Sequence, residues 1–352
     1  MTAENTPPPQ NTDWTDKQLP PVKPPTTGFL MQLFFVPMII VSIIVGVWIM
    51  FGWLAQSGTN PKQLSENLRQ LNKGSWQDAH SLANLLGDPR EKDLRKDGEL
   101  ADSLAETLIM LTEDPNLGVS PERHKLATYL CRALGQFEID NGLNALITAL
   151  KTEDDFKLRR AAVEGIAVLS SKIGSELGES KTELVEALRD PAMERAASPT
   201  RDEQLQYGEM RAVAAYALGV IGGDEACDTL HLMLGDGYPE ARYNAATGLA
   251  RNGDTRSVER LCEMLQIEND EAIKYESDQE TAESLRQWKR NLIIKNGLLG
   301  VVALYSANEE AQLDESIVQA VQTIDDAAIL KSNDENKYGA LDKALRLIKD
   351  RS

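Results

Sequence analysis

Nine residues from Arg211 to Gly219, reading RAVAAYALG, recur 31 positions later from Arg242 to Ala250 as RYNAATGLA. A looser copy, RRAAVEGIA, runs from Arg159 to Ala167, and Tyr129 to Gly135 ends a degenerate earlier one. The shared frame is an arginine, two small or apolar residues, and then a small-apolar-small run. Each copy follows a shorter amphipathic stretch, at Leu143–Leu150, Leu184–Leu188, Cys227–Leu234 and Val258–Leu265. A unit of two helices with one apolar stripe on each cannot cover both stripes by itself. Units of this kind must therefore stack into a solenoid, each burying the face its neighbour leaves open.

From about residue 61 onward the apolar spacing follows the helical period, and no stretch alternates with period two for long enough to make a sheet. Helix ends are punctuated at Gly87-Asp88-Pro89, Asp114-Pro115, Asn141-Gly142, Asp190-Pro191 and Asn252-Gly253. The expected fold is all-α, an α-solenoid of helical hairpins. Net charge is -18, from 55 acidic and 37 basic side chains, with no dense Lys/Arg block. Phosphate binding needs clustered positive charge, so nucleic acid is not an expected partner.

On these residues the chain resembles the HEAT-repeat family, in particular the short bacterial type similar to the repeats of phycobilin lyases. The family places an acid in the turn between the two helices and an arginine six residues later. Asp236 with Arg242 and Glu153 with Arg159 match that spacing. Arg211 departs from it, since Leu205 occupies the acid position and Asp190 lies before an insertion. The resemblance implies that Glu153, Arg159, Arg211, Asp236 and Arg242 form a structural ladder linking adjacent repeats. It also implies HEAT/armadillo-like packing over residues 139–306, with the motifs clearest over 139–266.

Ahead of the repeats, no Asp, Glu, Lys, Arg or His occurs between Lys23 and Lys62, and Leu33 to Ala55 is apolar apart from Pro37, Ser42 and the glycines. About 20 such residues cross a bilayer as a helix. Phe34 and Phe35 near one end, and Trp48, Phe51 and Trp53 near the other, suit the membrane interfaces. The run exceeds the 7–15 residues of a cleavable signal, and its leader is not basic. One transmembrane helix is expected at 29–56, with Pro37 in its first turns. Flanking charge is balanced, so orientation follows the usual outcome for an uncleaved anchor, with the repeats outside the cytoplasm. Residues 1–28 are proline-rich and expected to be a disordered spacer.

The remaining divisions are a linker and irregular helical cap at 57–138 and capping helices at 307–352. Insertions lie at 190–209 and 267–283. The first lengthens the Arg159 to Arg211 spacing to 52 residues. The second carries Glu268, Asp270, Glu271, Glu276, Asp278, Glu280 and Glu283 against Lys274. Insertions fall on one edge of a solenoid, so this acidic one is the expected contact for a protein partner with a basic surface.

No catalytic constellation is legible. His80, His124 and His231 are far apart, and no hydrolase, zincin, dithiol or phosphate-loop motif occurs. Cys131, Cys227 and Cys262 sit in apolar helical patterns and read as small core residues. Cys227 and His231 share a helix face but lack further ligands, so no metal or cofactor is expected. The expectation is a membrane-tethered, non-catalytic scaffold for protein–protein interaction. The alternatives are a helper similar to bilin lyases, or a self-associating architectural envelope protein.

Overall fold

The computed structural model describes residues 27–56, 61–152, 155–178, 180–195, 200–271, 283–327 and 335–351. They belong to two units, Met1–Thr59 and Asn60–Ser352.

The first unit contributes one helix, α1 (Thr27–Gln56). Its Met31–Phe51 stretch has a mean hydropathy of 2.7, and none of it is buried. At 1.5 Å per residue those 21 residues span about 32 Å, close to the hydrocarbon thickness of a bilayer. α1 is thus long and apolar enough to cross a membrane. Because the helix begins at Thr27, Pro37 lies inside it and not in its first turns. The carbonyl of Leu33 therefore lacks its usual amide donor, a local defect of the kind that membrane helices tolerate.

The second unit is all-helical among its described residues. Its helices pair as α2 (Pro61–Leu68) with α3 (Ser75–Gly87), α4 (Gly98–Thr112) with α5 (Pro121–Leu134), and α6 (Leu143–Leu150) with α7 (Phe156–Ile173). They continue as α8 (Ser180–Met193) with α9 (Arg201–Ile221), and α10 (Asp224–Met233) with α11 (Pro239–Arg251). The last pairs are α12 (Val258–Met264) with α13 (Glu283–Ala307), and α14 (Glu315–Asp326) with α15 (Glu335–Arg351). Each second helix packs on the second helix of the next hairpin, giving a two-layer solenoid. Within residues 57–138, expected to be a linker and irregular helical cap, residues 61–134 form two hairpins that continue both layers. Their motif is degenerate because leucine does the work of alanine in the core: Leu82, Leu86, Leu104, Leu108 and Leu130 are all fully buried.

The repeated sequence frame is the contact between second helices. Ala214, Ala215, Ala217 and Leu218 on α9 and Ala245, Ala246 and Leu249 on α11 are fully buried. These small residues let the helices cross almost backbone to backbone. A Cβ added at Gly219 would lie 2.5 Å from the Cα of Gly248, and one at Gly135 would lie 2.9 Å from the Cα of Gly165. Second helices contact their neighbours along the stack more extensively than first helices do.

The edge formed by between-repeat turns is tied by donors reaching main-chain oxygens of the preceding turn. Lys172 Nζ donates to the Gln136 carbonyl at 2.8 Å, Asn252 Nδ2 to Gly219 at 3.2 Å, and Asn308 Nδ2 to Gly253 at 3.0 Å. Gly222 and Gly223 make the α9–α10 turn at φ of 66° and 89°, values at which a side chain would clash with the backbone.

Candidate functional site

At the opposite edge, the turns inside the hairpins carry the ladder, and its pairing is offset by one repeat. Arg211 donates from Nε and Nη2 to the carboxylate of Asp236 at 2.7 and 2.9 Å. Asp236 belongs to the next hairpin, and its side chain is fully buried against Arg211 at 8% exposure. Arg211 also reaches the Glu194 carbonyl of its own hairpin at 3.1 Å. Arg242 repeats this arrangement one unit on. It donates to the main-chain carbonyl of Asp236 at 3.3 Å, and its ion pairs are with Glu263 at 2.8 Å and Glu271 at 3.3 Å. Asp236 and Arg242 thus do not pair side chain to side chain, as their six-residue spacing suggested. The acid faces back along the stack and the arginine faces forward.

The other rungs obey the same offset. Arg159 holds the Glu194 carboxylate through bonds of 3.0 and 2.6 Å, while Glu153 lies outside the described residues. His124, the fourth residue of α5 as Arg159 and Arg242 are of α7 and α11, sits 2.9 Å from Asp155, which in turn caps α7. Sequence reasoning missed His124, Glu194 and Glu263. Helix register would have found His124. Glu194 was hidden because α9 starts more than two turns before Arg211, at a capping box formed by Thr200 and Glu203. The described part of the 190–209 insertion is therefore the end of α8 and extra turns of α9.

Burial raises the carboxyl pKa of Asp236, but the hydrogen bonds from Arg211 and the Tyr238 amide, with the charges of Arg211 and Arg195, outweigh it and hold the group below its ordinary value. Glu263 is lowered in the same way, its burial overcome by Arg242, Arg260 and Tyr243. Both remain ionised in the folded chain at neutral pH, as rungs of a charged ladder must.

The acidic insertion begins on this edge. Asn269 is buried and donates to the Tyr243 hydroxyl at 2.8 Å and the Glu263 carbonyl at 2.9 Å. Asp270 is held by Arg290 at 2.5 Å, Glu271 by Arg242, and Glu283 lies 3.7 Å from Arg290. Glu268 is exposed. Glu276, Asp278 and Glu280 lie outside the described residues.

A groove of about 300 Å³ opens on the second-helix face between α11 and α13, with Tyr216 of α9 on its rim. Asn244, Thr247 and Arg251 line one wall and Leu292 and Leu299 the other. Arg251 lies over the Tyr216 ring at 5.7 Å, which fixes both side chains at the mouth. Toward the other end of the same face, Trp76 and Tyr129 stack at 6.2 Å, with Lys125 over the first at 5.1 Å and Arg132 over the second at 5.5 Å.

The potentially reactive groups are placed apart. Burial pushes the Cys131 thiol far up and raises those of Cys227 and Cys262. His80 touches Asn84 and the edge of Tyr129, and His231 is exposed on α10 while Cys227 on the same helix is buried. Among the described residues no three His, Cys, Asp or Glu side chains converge as metal ligands.

The family described as HEAT repeats matches residues 204–280. No curated protein matches the chain. Among solved structures, the X-ray structure of YibA from Escherichia coli is 18% identical and covers 82% of this chain and 98% of its own, at a TM-score of 0.30. The family match lies on the helices that carry the Arg211–Asp236–Arg242 rungs, so residues 204–280 are identified as HEAT repeats.

Proposed function

We propose that the chain is a non-catalytic scaffold that holds a protein partner on the second-helix face of its HEAT repeats, while α1 anchors it to a membrane in a single span. The groove between α11 and α13 carries this reading. It leaves Leu292 and Leu299 at 41% and 40% exposure beside hydrogen-bonding and cationic groups, the mixture of apolar area and polar rim that suits an interface. The non-catalytic part is supported by the thiols, which burial keeps protonated and inert, and by histidines placed far from a shared pocket. On this reading the amino terminus lies inside and the repeats outside the cytoplasm.

The test is made on native membranes. The full chain should resist alkaline carbonate extraction and lose that resistance when residues 29–56 are deleted. Crosslinking before solubilisation should return a defined protein partner. A chain washed off by carbonate would remove the anchor, and repeated crosslinking without a specific partner would remove the scaffold.

A further inference from the structure

The two layers of the solenoid differ in charge to a degree that the net value of -18 conceals. The seven first helices carry 15 Asp and Glu against 4 Lys and Arg. The seven second helices carry 11 acids against 20 bases. Part of this excess closes the ladder: Arg159, Arg211 and Arg242 are matched by Glu194, Asp236 and Glu263. Lys125, Arg132 and Arg251 lie elsewhere on the second helices, each over an aromatic ring. α13 adds Arg286, Lys289, Arg290 and Lys295 against Glu283 alone.

α13 also presents an apolar stripe. Leu285, Trp288, Leu292 and Leu299 are exposed by 43%, 56%, 41% and 40%. Their spacing of three, four and seven residues keeps them on one side of the helix over about 21 Å. The stripe leads into the groove, whose charged lining is Arg251 and Lys289 against Glu240.

We propose that this face, from the α13 stripe into the α11–α13 groove, docks an acidic amphipathic segment of a protein partner. The apolar side of the segment covers Leu285, Trp288, Leu292 and Leu299, and its carboxylates meet Arg251, Lys289 and the neighbouring bases. Charge complementarity selects the sign of the partner, because an acidic chain that carries its excess of bases on the second-helix layer, with Arg251 and Lys289 at the groove, attracts acid there and repels it elsewhere. The groove selects the class. A lipid surface does not enter a cleft between two helices, and stacked nucleotides would leave the four-turn apolar stripe unused. The inference rests on the scaffold reading, and its partner carries the opposite charge to the basic-surfaced one expected at the acidic insertion.

The experiment uses the full chain in neutral-lipid nanodiscs. Fluorescence anisotropy follows a labelled amphipathic peptide of about 20 residues with Glu at its polar positions, and a counterpart with Lys there. The acidic peptide should bind more tightly than the basic one and weaken as salt rises. Arg251→Glu with Lys289→Glu should weaken it by about tenfold, and Leu292→Ser with Leu299→Ser should do likewise, with helicity unchanged by circular dichroism. Equal or tighter binding of the basic peptide, or indifference to both double variants, would overturn the proposal. So would tighter binding of a uridine oligonucleotide or of phosphatidylglycerol vesicles than of the acidic peptide, lost in the same charge-reversed variant. A photo-crosslinker at Leu299 and another at Leu232 on the first-helix layer separate the two readings in native membranes. Capture at Leu232 alone defeats this inference and leaves the scaffold standing, whereas capture at neither position defeats the scaffold itself.

Discussion

Arg211 and Asp236, 25 residues apart, meet through two near-parallel hydrogen bonds of 2.7 and 2.9 Å in a buried site between successive hairpins. The pair does two things at once. It fixes the angle between α9 and α11, and it holds the turn that precedes α11, because Asp236 also accepts the Tyr238 amide at 2.8 Å. The second-helix layer owes its geometry to joints of this kind.

Removing one partner strands the other charge. Asp236→Ala should therefore destabilise the repeat unit by about 3–5 kcal/mol, as for other broken buried pairs. A double-mutant cycle in chemical denaturation distinguishes the partners. Asp236 with Arg211 should couple by about 1–3 kcal/mol, while Asp236 with Arg242 should couple by less than about 0.5 kcal/mol, since Arg242 reaches only a main-chain oxygen that alanine retains. Strong coupling to Arg242 and none to Arg211 would reverse the rung order.

The lowered carboxyl pKa values of Asp236 and Glu263 link stability to acidity. A group whose folded pKa lies below its unfolded value stabilises fully above the unfolded value, about 3.9 for Asp and 4.3 for Glu, and loses that contribution as pH falls through the folded value. The unfolding midpoint should thus be nearly flat above about pH 5 and drop steeply below about pH 4. Asp236→Asn should lower the plateau and shallow the drop. A melting series from neutral to acid pH checks both, and identical acid slopes for the two proteins would remove the linkage.

Gly219→Ala tests the close crossing of α9 and α11. A methyl group there meets the Gly248 Cα at 2.5 Å, backbone that cannot rotate aside. The substitution should cost about 1–3 kcal/mol despite the higher helix propensity of alanine. Thermal unfolding measures it, and an unchanged or raised midpoint would show that the helices part without loss.

Much of this was legible because packing writes itself into periodic sequence. The frame from Arg211 to Gly219 shows a helix crossing that admits only small residues, and its alanines and glycine lie where that reading requires. The charge-free run before Lys62 becomes a single helix of spanning length. The ladder was legible in composition but not in connectivity. A six-residue spacing says that acid and arginine share a turn, and says nothing of whether they face each other or opposite neighbours along the stack. Glu194 was hidden by the early start of α9, and the two hairpins before α6 by leucines in place of alanines. The groove and the charged layers depend on which helix faces align after stacking, a property of no single segment.

The central claim is that the second-helix face holds a protein at the membrane. Quantitative mass spectrometry of material co-purified from native membranes, comparing the unaltered chain with Leu292→Ser, Leu299→Ser, tests it most directly. The account predicts that at least one specific protein is depleted from the variant by about tenfold, while the variant itself stays in the membrane fraction at normal abundance and helicity. The same proteins recovered in the same amounts from both chains would contradict it.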